Sequence, residues 1–366
     1  TYMEPLKIGN LCAAVPIVQG GMGVGISLSG LASAVADQGG VGVISCAGLG
    51  LLYRREHPDY FKASILGLKE ELHKAREKTS GIIGVNIMVA LTNFADMVRT
   101  AIAEKAHVIF SGAGLPLELP SFLKKDSTTR LVPIVSSARA ARVICEKWKN
   151  AYDYLPDAIV VEGPKAGGHL GYKENQLNDE NFSLEKVLPE VVAQADAFGK
   201  ASDKKIPVIA AGGIYTGEDM YRMMSLGASG VQLGTRFVTT EECDADLRFK
   251  QAYLDAQAED IEIIKSPVGM PGRAISGEFL REVEQGRTRP KACRFHCIKT
   301  CDPAKTPYCI ITALFNAFRG NLKKGYAFAG SNAYRETRIS SVREVIGELV
   351  DGFKKALEER KTKHHP

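Results

Sequence analysis

The chain has little of the features that mark a specialised protein class. Its 366 residues include one tryptophan, seven histidines and eight cysteines. Eight thiols in a chain this long do not form a disulfide scaffold, so the expected address is a reducing cytoplasm. No stretch approaches 18 uninterrupted apolar residues, which argues against a membrane-spanning helix. The opening Thr1–Gly9 carries no basic region followed by an apolar one, so no secretory leader is expected. The absent initiator Met leaves trimming open, and the closing His364-His365-Pro366 is too short to read as a tag. Charge of one sign is scarce as well: 47 basic and 42 acidic residues leave +5. No Lys/Arg stripe with interleaved aromatics is present, so nucleic acid is not an expected partner. The run from Lys354 to Lys363 reads as a solvated helix face and not as a membrane anchor. Motif absences narrow the chemistry further. There is no H-E-x-x-H or other closed histidine metal set, no G-x-S-x-G elbow, and no G-x-G-x-x-G turn after the first strand.

What is abundant is glycine, at 36 residues, in an otherwise ordinary globular composition with 45% hydrophobic residues. Disorder, collagen-like repeats and a coiled coil are excluded. A chain of this length buries roughly three quarters of its unfolded surface without needing a metal or disulfide staple.

From residue 15 onward one unit recurs: a short β-branched run, a Gly- or Ser-rich turn, then an amphipathic helix. The runs at 15–19, 41–45, 82–87, 107–111, 131–136, 157–162, 206–210 and 230–233 predict eight strands. One-sided helices are predicted near 28–38, 60–78, 94–104, 138–149, 184–198 and 217–226, with 117–125 the weakest segment. The methionines Met220, Met223 and Met224 fall at helix spacing and read as core. Strands that are apolar throughout, alternating with helices, imply a parallel sheet covered on both faces. Eight units favour a TIM (β/α)8 barrel over an open doubly wound sheet. After the eighth strand the rhythm breaks, with helix-like pieces at 246–257 and 277–285, and it resumes at 341–361. The expectation is therefore an α/β barrel formed by 1–238 and 325–366. Residues 239–324 form an inserted helical, cysteine-containing subdomain beside the catalytic mouth.

The glycines concentrate just after the predicted strand ends, where the loops of the catalytic face lie. Gly212-Gly213 follows strand seven and Gly234-Thr235 follows strand eight. These two loops are the recurrent phosphate site of the fold, so a phosphate-bearing ligand is expected. Asn86 is a polar residue at the end of an apolar strand, either capping a loop or bonding a flat heterocycle. Gln19 and Glu162 occupy equivalent strand-end positions and suit the edges of an isoalloxazine ring or the hydroxyls of a ribityl chain. The segment Glu162-Gly163-Pro164-Lys165-Ala166-Gly167-Gly168-His169-Leu170-Gly171 sets one imidazole on a glycine-walled loop. A side chain that titrates near neutrality in that place suits proton transfer during redox chemistry. The cluster Cys293-x3-Cys297-x3-Cys301-x7-Cys309 has two readings. It suits zinc or a [4Fe-4S] centre, although it is not a ferredoxin run, and it equally suits small apolar thiols on one face.

These residues resemble the FMN-dependent nitronate monooxygenase (2-nitropropane dioxygenase) family, which also contains the flavin-dependent enoyl-acyl-carrier-protein reductases II. The matching pieces are Pro16–Met22, Gly39–Gly42, Gly84–Ile87, Ser111–Gly114, Glu162–Gly171, Pro207–Ile214 and Val231–Phe237, collinear over about residues 10–240. Ala-Gly-Gly-His-x-Gly is the specific one. The resemblance implies FMN, with its phosphate on Gly212, Gly213, Gly234 and Thr235. Ring and ribityl contacts would come from Gly20, Gly21, Met22, Asn86, Glu162, Gly167 and Gly168. It implies His169 as catalytic acid/base. Two reactions compete: oxidation of an alkyl nitronate at the flavin, and NAD(P)H-dependent reduction of an enoyl thioester. The cysteine insert departs from both patterns, and a metal centre there would favour a reductase. A barrel that only binds a phosphorylated ligand is the third reading, against which His169 argues. The implied partner is a small-molecule substrate, nitronate or enoyl thioester, and a homodimer is compatible.

Overall fold

The computed structural model describes residues 3–363, so the readings at Thr1, Tyr2 and His364–Pro366 lie outside the described residues. Eight parallel strands lie at the predicted places: β1 (Ile17–Gln19), β2 (Val41–Ser45), β3 (Ile82–Asn86), β4 (Val108–Ser111), β5 (Arg130–Val135), β6 (Ile159–Glu162), β7 (Val208–Ala211) and β8 (Gly230–Leu233). Each pairs with the next, and β8 pairs back onto β1 through Val231 opposite Ile17. The chain is a closed TIM barrel.

The continuous apolar runs follow from burial on both sides. Val18, Val41, Val43, Val108, Phe110, Val132, Val160 and Ile209 fill the barrel interior. Their alternates Ile44, Val85, Ile109, Leu131, Ile159, Val161 and Val231 pack outward under the helices. An N-terminal hairpin, Leu6–Ile8 against Leu11–Ala13, adds Leu6, Ile8 and Ala13 to that interior cluster.

The helices form because one face of each is apolar at three- and four-residue spacing. In Ala138–Tyr152 that face is Ala141, Ile144, Cys145 and Trp148, and the Ser137 hydroxyl caps the start by accepting from Ala140 N–H. Gly217–Ser225 opens with a reciprocal Thr216/Asp219 cap, and Met220 and Met223 are buried as core. It packs against the last helix, Val342–Lys363, so closely that a Cβ on Gly217 would lie 2.3 Å from the Leu349 carbonyl oxygen. That last helix takes the place of the eighth barrel helix. Between β4 and β5 the weak segment forms only a short 3-10 turn, Leu119–Phe122.

The chain between β8 and the last helix is not helical throughout. It contains helices Leu247–Asp255, Glu278–Glu284 and Ile310–Phe318, and also an antiparallel hairpin, Ile261–Lys265 with Pro271–Ile275. The hairpin pairs with Gly168–His169 of the loop after β6, with His169 opposite Gly272 and Gly168 opposite Arg273. The insertion is thus joined to the barrel through the histidine loop.

Candidate active site

A cavity of about 270 Å³ opens at the C-terminal mouth of the barrel. Apart from Gln19, the residues expected from the sequence at a flavin site line it. Gly20, Gly21 and Met22 come from the end of β1, and Asn86 from the end of β3. Glu162, Gly167, Gly168 and His169 follow β6, Gly212 and Gly213 follow β7, and Gly234 and Thr235 follow β8.

Several of these positions require glycine for steric reasons. Gly212 and Gly213 have φ of 98° and 74°, where side chains are strained. A Cβ on Gly212 would approach the Gly163 carbonyl oxygen to 2.9 Å. A Cβ on Gly21 would fall 2.3 Å from Cβ of Asn86. Gly167 meets the segment after the insertion, since a Cβ there would lie 2.6 Å from Gly330 N. The floor of the cavity is therefore bare backbone. The Lys165 stem lies along Gly213, close enough that a Cβ there would be 2.7 Å from its own.

The histidine loop is held from the insertion side. Arg273 donates from Nε to the Ala166 carbonyl (3.1 Å) and from Nη2 to the Pro164 carbonyl (2.7 Å). Leu170 N–H donates to the Pro271 carbonyl at 2.8 Å. The His169 ring meets the Phe328 ring edge-on at 5.0 Å, and its Nε2 is 2.5 Å from the Ser266 hydroxyl. Burial pushes the His169 pKa down to about 4, so the imidazole is neutral at neutral pH. Burial pushes the Glu162 carboxyl up to about 7. Two titratable groups on one cavity wall are thus moved in opposite directions by the same cause.

Three features differ from, or add to, the expected set. Gln19 does not line the cavity; its amide donates to Val43 O (3.1 Å) and accepts from Val43 N (3.0 Å) inside the barrel. Gln232 of β8 lines the mouth instead. A metal at Cys293, Cys297, Cys301 and Cys309 is one of two readings of that cluster: the four thiols lie within electrostatic reach of one another, and among the described residues no group of three or more His, Cys, Asp or Glu is close enough to hold a metal ion. The thiols sit in different surroundings, Cys293 exposed and Cys297 buried, and no regular element aligns the first three. The third concerns the far wall of the cavity, which sequence reasoning missed. It is formed by Phe249, Tyr253, Leu314, Tyr326 and Phe328 of the insertion and the segment after it. Their signal is weak because aromatic residues in a polar stretch read equally well as local core.

The sequence profile of the nitronate monooxygenase family matches residues 4–352. The chain belongs to that family. Among its relatives is a (3aS,4S,5R,7aS)-5-hydroxy-7a-methyl-1-oxo-octahydro-1H-indene-4-carboxyl-CoA dehydrogenase of Mycobacterium tuberculosis (strain ATCC 25618 / H37Rv). The two are 29% identical over 271 residues, covering 74% of this chain and 66% of that protein. The matched region thus spans just under two thirds of that relative's length. A probable nitronate monooxygenase of Staphylococcus haemolyticus (strain JCSC1435) is 27% identical over 308 residues, 74% of this chain and 77% of the relative. FabK from Thermotoga maritima superposes with a TM-score of 0.73 at 26% identity, covering 95% of this chain and 96% of that one. A nitroalkane oxidase from Streptomyces ansochromogenes shares the fold, with a TM-score of 0.71 at 21% identity over 94% of this chain and 97% of that one.

Proposed function

We propose that this family member is an FMN-dependent oxidoreductase that oxidises alkyl nitronates, with His169 as the acid/base at the barrel mouth. The observation that carries this reading is the meeting, in one cavity, of the bare glycine loops after β7 and β8 with the histidine loop after β6. The glycine cradle fits a flavin phosphate. Side chains on Gly212 or Gly213 would fill it, and the Thr235 hydroxyl stands at its edge, 2.7 Å from where a Cβ on Gly330 would lie. Gly212, Gly213, Gly234 and Thr235 would hold the phosphate through backbone N–H groups and one hydroxyl. Gly20, Gly21, Met22, Asn86, Glu162, Gly167 and Gly168 would meet the ring and ribityl chain. When bound, FMN supplies the two-electron chemistry that no side chain of this chain can. The protein orients the substrate, keeps water off it, and holds a proton at the His169 imidazole.

A second reading is NAD(P)H-dependent reduction of an enoyl thioester. It is favoured by the apolar wall of Phe249, Leu314, Tyr326 and Phe328, which offers more lipophilic surface than a small nitronate requires. A cytoplasmic address, a homodimer and the division into 1–238 with 325–366 against 239–324 belong to the same proposal. Purified protein that is colourless and takes up no added FMN overturns it. Anaerobic mixing with NADH, NADPH or a nitronate separates the two reactions. Bleaching of the flavin by nitronate alone is expected for the first reading, and rapid bleaching by a nicotinamide for the second.

A further inference from the structure

The histidine at the mouth faces a hydroxyl that none of the site residues discussed so far explains. Ser266 closes the first strand of the inserted hairpin, is 7% exposed, and does not line the cavity. Its hydroxyl oxygen lies 2.5 Å from His169 Nε2 and accepts from Val268 N–H at 3.2 Å. Its backbone is fixed too: Ser266 N–H donates to Met270 O at 3.1 Å, and the Thr300 hydroxyl donates to Val268 O at 2.9 Å. The hydroxyl sits on an anchored turn and cannot rotate away with a mobile loop.

The positions of two protons follow from this geometry. A buried hydroxyl proton needs an acceptor, because leaving it unpaired costs about 1–3 kcal/mol. Among the described residues, the acceptor within reach of the Ser266 hydroxyl is His169 Nε2. If Nε2 carried the ring proton and donated to the serine, the serine proton would be buried and orphaned. The lower-energy arrangement has Ser266 O–H donating to an unprotonated Nε2. Burial keeps the imidazole neutral, with its pKa near 4, so the ring holds one proton and that proton is on Nδ1. Nδ1 has no hydrogen-bond partner among the described residues, and His169 lines the cavity.

We propose that Ser266 is the positioning residue of His169: its hydroxyl fixes the Nδ1–H tautomer, so the cavity meets an N–H donor and not a basic lone pair. This rests on the reading of His169 as the acid/base and sharpens it. A neutral imidazole N–H suits a substrate oxygen that carries or develops negative charge, such as a nitronate or the carbonyl of a thioester. It does not suit removal of a C–H proton from a neutral nitroalkane. The substrate class assigned to the cavity is therefore an organic oxyanion or a polarised carbonyl.

The test reads the nitrogen atoms directly. Protein carrying 15N-labelled histidine is measured by long-range 1H–15N NMR, with His169→Gln assigning the signals. The expected spectrum shows Nδ1 in the protonated range and Nε2 in the unprotonated range at neutral pH. Ser266→Ala should move the ring toward the Nε2–H form, and Ser266→Thr, which keeps the hydroxyl, should restore the wild-type pattern. An Nε2–H ring in the wild type, or an unchanged spectrum in a folded Ser266→Ala, overturns the proposal. Should Ser266→Ala not fold, the wild-type and Ser266→Thr spectra decide it alone. Because the readout needs neither flavin nor turnover, it stays separate from failure of the flavin reading, which shows as absent FMN uptake. In turnover, Ser266→Ala should lose about tenfold in kcat with the FMN Kd unchanged.

Discussion

On the barrel side of the cavity, Gly20, Gly21, Gly212, Gly213 and Gly234 expose backbone; on the other side, Phe249, Tyr253, Leu314, Tyr326 and Phe328 present side chains. The two sides differ in how they recognise a ligand. Backbone N–H groups read charge and close approach, and at Gly21, Gly212 and Gly213 they tolerate little change because an added methyl would come within 3.0 Å of another segment. Aromatic side chains read shape and lipophilicity, and here Phe249, Tyr253 and Tyr326 also serve as buried core. The first side suits a constant cofactor and the second a variable substrate. The histidine loop lies between them, rooted in β6 and paired with the inserted hairpin.

Substitutions on the two sides should therefore have separable effects. The largest is expected at the junction. His169→Ala should lower kcat by about 10²–10⁴-fold, the usual worth of a positioned proton-transfer group, with the FMN Kd unchanged by fluorescence titration. Full turnover in that variant would remove the histidine from the chemistry. Next, on the backbone side, Gly212→Val forces a branched residue to φ of 98° and crowds Gly163. A penalty of about 1–3 kcal/mol should appear as a tenfold or greater rise in the FMN Kd, with KM for the organic substrate little altered in flavin-saturated enzyme. A variant that binds FMN normally would mean that the phosphate sits elsewhere. Phe328→Ala tests the opposite side. Losing the edge-on ring against His169 should raise KM severalfold, about 0.5–1.5 kcal/mol, and leave the FMN Kd in place.

The smallest effect is a pH dependence. The buried Glu162 carboxyl titrates near 7 in the folded chain, above its ordinary value of 4.5. The folded state thus holds this proton more tightly than the unfolded one. The stabilisation from Glu162 is fully present below pH 4.5 and is lost as pH rises through 7. Thermal melts of flavin-free protein should show Tm falling as pH rises from about 4.5 to about 7, and Glu162→Gln should flatten that slope. A slope unchanged by Glu162→Gln assigns it to another group.

The same contrast governs what could be read from the sequence. The eight strands were legible because burial on both faces makes each a continuous apolar run, as in β7, Val208–Ala211. The glycines that line the barrel side of the cavity were legible because glycine at a strand end marks a backbone requirement. Of the insertion, the helices Leu247–Asp255 and Glu278–Glu284 fall where the sequence placed helix-like pieces, but its hairpin and its wall on the cavity were not legible. Ile261–Lys265 is half-buried along most of its length, so its pattern is weak, and the third strand of its sheet, Gly168–His169, which pairs with Pro271–Ile275, is only two residues long. Ile310–Phe318 is nearly apolar throughout, and its role as a wall of the site depends on where the barrel sits. Gln19 and Gln232 are adjacent strand-end amides of one type, and only the register of β1 against β8 decides which of them faces the mouth. Ser266 carries no motif, and its role exists only through the fold.

The pairing of His169 with Gly272 also has a consequence for synthesis. A ribosome that has just released β8 has delivered every glycine of the cofactor side, yet the strand that aligns the imidazole is still about forty residues away. The glycine loops of the mouth can therefore form before His169 gains the strand that pairs with it.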